Sequence, residues 1–116
     1  MIKTNRVWGH YKVLYEGDGF AVKELVIDPG KSLSDQYHEH RSEHWLCVSG
    51  TVTIKLEARA DCGQRIRKKV SLKPGESLDI PKNCWHKAIN LTEEPVHVVE
   101  VWRGHTLTED DITRRD

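Results

Sequence analysis

The sequence predicts an all-β protein, an antiparallel sandwich or barrel, in one domain covering residues 1–116. Three observations carry this expectation. Short stretches of alternating or apolar character follow one another at even spacing, as half-buried strands require. Turn signals rich in Gly, Pro and Asp separate them. Helical periodicity is missing until the last dozen residues. At 116 residues the chain suffices for one core and falls short of two.

Taken in order, the expected strands cover residues 11–16, 20–27, 34–40, 44–49, 51–57, 65–72, 76–80, 86–90 and 96–102. The turns between them include Gly17-Asp18-Gly19, Asp28-Pro29-Gly30, Asp61-Cys62-Gly63 and Lys73-Pro74-Gly75. Each supplies the φ values that a tight reversal needs. The second and fourth of these turns echo each other, and each leads through a strand to a His-bearing segment. That weak repeat is expected if two sheets each contribute part of one pocket. The polar stretch 57–69 reads as a protruding hairpin, and its Arg65, Arg67, Lys68 and Lys69 as a solvated face. In the tail, 107–115 reads as the start of a helix, with Thr108 as N-cap and Asp111 three residues on.

Lys plus Arg equals Asp plus Glu at 18 each, which argues against a general nucleic-acid binder. No apolar stretch reaches membrane-spanning length, and the first residues lead into no signal core. Cys47, Cys62 and Cys84 are odd in number and form no C-x-x-C pair. Free thiols in a reducing cytoplasm are therefore expected. Cys47 reads as a small core residue. Cys84, two residues from His86, is a minor candidate ligand.

Two segments carry the chemistry. The first places Gly30, Gln36, His38, Glu43 and Gly50 along one stretch, and the second places Gly75, Pro81, Asn83, His86 and Asn90 along another. Residues two apart on a strand share a face, so Gln36 and His38 can hold one ion together. Glu43 follows after a break, and His86 comes from a distant strand. Oxygen and nitrogen donors of this kind suit Zn²⁺, Mn²⁺, Fe²⁺ or Co²⁺.

These segments resemble the two cupin motifs, G-x5-H-x-H-x3,4-E-x6-G and G-x5-P-x-G-x2-H-x3-N. Gln36 stands where the first His is usual, and Asn83 where the second motif has Gly. Asn visits left-handed backbone more readily than most residues. The block from Gln36 to Trp45, followed by Val48-Ser49-Gly50-Thr51, is similar to the Q-x-H-x-H-R-x-E-H-W and V-S-G-T signatures of type II phosphomannose isomerase cupin domains. Arg6-Val7-Trp8-Gly9-His10-Tyr11 resembles their Arg-Pro-Trp-Gly-x-Tyr opening, and Glu109-Asp110-Asp111-Ile112 an element near their end. In the family this domain often follows a nucleotidyltransferase domain. Val7 replaces the usual Pro, and Trp102 stands where Gln is common. The sequence stops at Asp116, before the Tyr-Gly-Arg that usually follows and whose Arg would suit a phosphorylated substrate.

The resemblance implies a double-stranded β-helix or jelly-roll barrel, and one divalent ion, Zn²⁺ foremost with Mn²⁺, Co²⁺, Fe²⁺ or Ni²⁺ as alternatives. By the same resemblance Gln36, His38, Glu43 and His86 are its ligands. It further implies interconversion of mannose-6-phosphate and fructose-6-phosphate by a homodimer. Such a reaction needs a proton shuttle of near-neutral pKa. His40 leads, because a regular strand would place it on the face of His38; His44 and Glu100 follow, Glu100 as a carboxylate whose burial would raise its pKa. Arg41 is the leading phosphate ligand, as guanidinium offers bidentate donors, and Lys23 is second. Trp8 and Trp45 could line a sugar pocket, whereas alternation aims Trp85 away. A cupin oxygenase and a non-catalytic sugar- or metal-binding module are the competing readings.

Overall fold

A computed structural model describes residues 2–59, 62–104, 107 and 111–115. Their strands are β1 (Lys3–Arg6), β2 (Gly9–Glu16), β3 (Phe20–Ile27), β4 (Asp35–Tyr37), β5 (Ser42–Ser49), β6 (Val52–Arg59), β7 (Arg65–Leu72), β8 (Ser77–Ile80), β9 (Trp85–Ile89), β10 (Val96–Arg103) and β11 (Thr113–Arg115). They form two antiparallel sheets, one in the order β1-β2-β3-β10-β5-β8 and the other β11-β4-β9-β6-β7. The expected all-β architecture is what the chain adopts. No helix among the described residues is long and apolar enough to cross a membrane.

The two inner faces meet in one core, where Leu25, Ile27, Cys47, Val96 and Val98 of the first sheet pack with Val52, Ile54, Leu72 and Ala88 of the second. Cross-strand partners share a face, and the registers show how polarity is graded along it. In the first sheet Ile27 faces Val96 across the ladder, and Leu25 faces Val98, which faces Cys47. Two residues on, the row is Lys23, Glu100 and Trp45, and two further on it is Ala21, Trp102 and Glu43. In the second sheet Ile54 pairs Val70 and Ala88, and two residues on Leu56 pairs His86, which pairs Gln36. One end of the core is hydrocarbon. The other collects the buried polar groups.

Asn90, fully buried, closes the apolar end. Its Nδ2 donates to the carbonyls of Ile27 (2.9 Å) and Glu94 (2.7 Å), and its Oδ1 accepts from the backbone N and the hydroxyl of Thr92 at 2.9 and 2.6 Å. Gly50, at φ 81°, carries the turn between β5 and β6, and a Cβ there would stand 2.8 Å from the Pro95 carbonyl oxygen. The hairpin of β6 and β7 extends to the Arg59–Arg65 pair, as the polar stretch suggested.

The tail departs from expectation. Thr113–Arg115 is a strand that pairs with β4, in the register Arg114 to Gln36, and Thr108 lies outside the described residues. Arg115 explains the strand: its Nε donates to Asp35 Oδ2 (2.8 Å) and its Nη1 to Glu57 Oε2 (2.9 Å), ties that a free helical turn would forgo. The expected strand 34–40 also ends early, at Tyr37.

Candidate metal centre

His38 follows the last residue of β4, on a bend that Asp111 holds. The Asp111 carboxylate accepts the backbone N–H groups of Glu39 and His40, each at 2.9 Å. Its backbone carbonyl lies 2.6 Å from His38 Nδ1. A carbonyl only accepts, so Nδ1 carries the proton and Nε2 presents its lone pair. From the other side, the Asn83 N–H donates to the His38 carbonyl at 2.8 Å. Asn83 adopts φ 59°, the left-handed conformation that Gly usually provides at this motif position.

His86, on β9, is oriented in the same way: its Nδ1 donates to the Cys84 carbonyl at 3.1 Å, leaving Nε2 for the interior. Burial lowers its pKa against the opposing pull of Glu43, which favours the neutral, ligating form. Both rings are thus fixed through the nitrogen that does not ligate, as supporting shells of metal sites commonly are.

Glu43 of β5 closes the group. Its Oε2 stands 3.0 Å from His38 Nε2 and its Oε1 4.0 Å from His86 Nε2, and one donor atom from each of the three lies within 4.8 Å of the others. Trp45 Nε1 donates to Oε1 (2.7 Å) and Arg41 Nε to Oε2 (3.0 Å). Burial would raise the Glu43 pKa, but the neighbouring His38, His86 and Arg41 side chains hold it well below the usual carboxylate range. Arg41 also brings Nη2 to 3.2 Å from His38 Nε2. Two imidazole lone pairs and a carboxylate converge here, so the residues present fit a divalent ion. Gln36 is the register partner of His86 and lines the same cavity as Glu43. Its amide nitrogen donates to Ser34 Oγ at 3.1 Å. Cys84 is buried outside the group, its carbonyl engaged by His86.

The cluster opens on a cavity of about 310 Å³ whose wall includes Trp8, Lys23, Gln36, Arg41, Glu43 and Glu100. The sequence matches, over residues 1–116, the family model described as mannose-6-phosphate isomerase C-terminal. The chain belongs to this family.

Curated relatives carry other names. A mannose-1-phosphate guanylyltransferase of Sinorhizobium fredii is 38% identical over 94% of this chain and 20% of its own length. The alginate biosynthesis protein AlgA of Pseudomonas aeruginosa is 38% identical over 94% of this chain and 21% of its own. This member of the mannose-6-phosphate isomerase C-terminal family therefore spans about a fifth of the relatives it matches. Among solved structures, Lactobacillus farciminis oxalate decarboxylase aligns with TM-score 0.82 at 15% identity, over 97% of this chain and 33% of that one. KdgF from Halomonas aligns with TM-score 0.77 at 17% identity, over 95% and 92%. The shared feature is the fold, a cupin jelly roll.

Within that fold the other expected residues separate into two groups. Glu100, Lys23 and Arg41 are buried in the cavity wall. Burial and the Glu43 charge raise the Glu100 pKa to about 8, and Trp102 Nε1 donates to its Oε1 at 2.9 Å. Lys23 Nζ lies 4.3 Å from the Tyr11 ring centre and 4.1 Å from that of Trp102, and the Arg41 guanidinium lies 3.5 Å from the Trp102 ring. His40 and His44 are elsewhere. The bend at 38–41 breaks the alternation that would have aligned His40 with His38, and His40 is exposed outside the cavity lining. His44 faces outward on β5, with Nδ1 2.6 Å from Asp79 Oδ1. Of the tryptophans, Trp8 and Trp45 line the cavity, whereas Trp85 points outward beneath Arg115, 4.0 Å from its ring. Sequence reasoning passed over Arg6 and Arg114, which also line the cavity. Arg6 carried a signal in the opening it shares with the family, and Arg114 carried none in its spacing.

Proposed function

We propose that the chain is a metal-dependent sugar-phosphate isomerase that interconverts mannose-6-phosphate and fructose-6-phosphate through an enediol. One observation carries the reading: Gln36 and Glu43 of the candidate ligands and a buried carboxyl of near-neutral pKa, Glu100, line a single cavity. Gln36, through its amide oxygen, would hold the ion with His38, Glu43 and His86. A divalent ion bound there, Zn²⁺ or one of Mn²⁺, Co²⁺, Fe²⁺ and Ni²⁺, would supply Lewis-acid polarisation of the sugar carbonyl.

The proton shuttle falls to Glu100. As a carboxylate it takes the C2 proton of the aldose while O1 gains a proton from water, giving the enediol. The enediol then returns its O2 proton to water, and Glu100 delivers its proton to C1, which leaves the ketose. A group whose pKa sits near the working pH serves both steps. Lys23 and Arg41 would hold sugar oxygens on the deep wall, close to Glu100 and Glu43. A homodimer and a cytoplasmic location belong to the same proposal; β1 and β8 are open edges of the six-stranded sheet and suit pairing with a second copy.

The test is a coupled assay following fructose-6-phosphate production from mannose-6-phosphate, with the chain stripped of metal and reloaded in turn with each ion. Turnover that needs an added ion and falls at least about 100-fold in Glu100→Gln supports the proposal, since positioned acid–base groups contribute that much. Sugar phosphate that binds without turnover under every ion would contradict it and leave a binding module.

A further inference from the structure

Of the four cations among the described residues of the cavity wall, Arg6, Lys23, Arg41 and Arg114, the two deepest are committed. Arg41 is held by Glu43 and stacked on Trp102, and Lys23 lies between the Tyr11 and Trp102 rings. Both are nearly excluded from solvent. Arg114 differs on each count. It is exposed, and among the described residues no acid, hydrogen bond or ring engages it.

Its direction follows from its neighbour. Arg115 is tied on the outer face by Asp35 and Glu57 and lies over the outward-facing Trp85. Successive side chains of a strand point to opposite faces, so this clamp turns Arg114 inward, in keeping with its place in the cavity lining. Across the ladder Arg114 faces Gln36, and Gln36 faces His86. The three stand in one row on the inner face, and at about 4.8 Å per strand the Arg114 backbone lies roughly 10 Å from that of His86. Arg6 sits on the same rim, with its guanidinium 5.3 Å from the Tyr11 ring centre and Nη2 3.4 Å from the Tyr11 hydroxyl.

We infer that Arg114, with Arg6 beside it, is the phosphate subsite of this cavity, and that Arg115 is its positioning residue. The inference rests on the sugar-phosphate reading of the site and adds the group that distinguishes the phosphorylated sugar from the free one. A substrate whose carbonyl end lies at the cluster of His38, Glu43 and His86 extends its far end along the row towards Arg114, where a guanidinium can donate two parallel hydrogen bonds to phosphate. In this proposal Arg114 takes the phosphate in place of Arg41, which is bound to Glu43 beside the candidate ligands.

Calorimetric titration tests it without reliance on turnover. The metal-loaded chain, Arg114→Ala, Arg114→Lys and Arg115→Ala are each titrated with mannose-6-phosphate, mannose and inorganic phosphate. The expected wild-type preference for mannose-6-phosphate over mannose is tenfold or more. Arg114→Ala abolishes that preference while leaving the Zn²⁺ titration and the thermal midpoint unchanged, and Arg114→Lys retains part of it. Arg115→Ala weakens mannose-6-phosphate and leaves mannose unaffected. Arg114-dependent binding without isomerisation would overturn the isomerase reading alone. Equal mannose-6-phosphate affinity in wild type and Arg114→Ala, or no wild-type preference for phosphorylated ligand, would overturn the subsite.

Discussion

Replacing Asp111 by Ala strikes the point where fold and site meet. The carboxylate accepts two backbone N–H groups, from Glu39 and His40, at 2.9 Å each. Hydrogen bonds to a charged group contribute about 1.5–3 kcal/mol apiece. Glu39 and His40 are exposed, so water replaces part of the loss, and the lower figure applies to both. The expected destabilisation is about 3 kcal/mol. For a chain of this length about 1 kcal/mol moves the thermal midpoint by roughly 4 °C, which puts the drop at roughly 12 °C. The bend that Asp111 holds also carries His38, whose Nδ1 donates to the Asp111 carbonyl. Loss of such outer support weakens metal binding by about 10- to 100-fold. Thermal unfolding of the metal-free chain and titration with Zn²⁺ measure the two effects separately. Asp79→Ala is the control, because its pairing with His44 is at the surface and exposed ion pairs contribute at most about 1 kcal/mol. An Asp111→Ala midpoint no lower than that of Asp79→Ala, with Zn²⁺ affinity intact, would refute the reasoning.

Asn83→Val, with a β-branched side chain at φ 59°, should lose about 1–2 kcal/mol in urea unfolding, whereas Asn83→Gly should be near neutral. Glu57 is held at a pKa of about 2 by hydrogen bonds from Arg115 and Arg67. The stability it supplies is complete above its ordinary value of 4.5 and is lost as pH falls towards 2. Glu57→Gln should therefore flatten the acid limb of the stability curve, with a smaller difference at high salt. Glu100 works in the opposite sense: its pKa rises to about 8 on folding, so the folded chain binds the extra proton and stability declines as pH rises from about 4.5 to about 8. Glu100→Gln should remove that decline, and urea midpoints at pH 5 and pH 9 read it directly.

What the sequence disclosed follows the range of its causes. Strands bounded by Gly- and Pro-bearing turns were legible because alternation and turn chemistry act within a few residues, as at Asp28-Pro29-Gly30 and Lys73-Pro74-Gly75. Three of the expected ligands, His38, Glu43 and His86, do converge, because two separated motifs each report their own strand. His40 does not share the face of His38 because its bend is imposed by Asp111, 71 residues away. The last strand was read as a helix for the same kind of reason: Arg115 is held by Asp35 and Glu57, 80 and 58 residues distant. Arg114 went unnoticed with it, since its inward aim depends on that clamp. Glu100 was legible as a carboxylate in an apolar strand, although the share of Glu43 in raising its pKa emerges only once β5 and β10 are paired.

In the proposed function one divalent ion is held by Gln36, His38, Glu43 and His86. Calorimetric titration of the metal-stripped chain with Zn²⁺, repeated on Glu43→Gln, addresses it most directly. One ion per chain in the wild type, and affinity lower by at least about 100-fold in a Glu43→Gln variant that still unfolds cooperatively, is the expected result. Equal stoichiometry and affinity in the two proteins would contradict it.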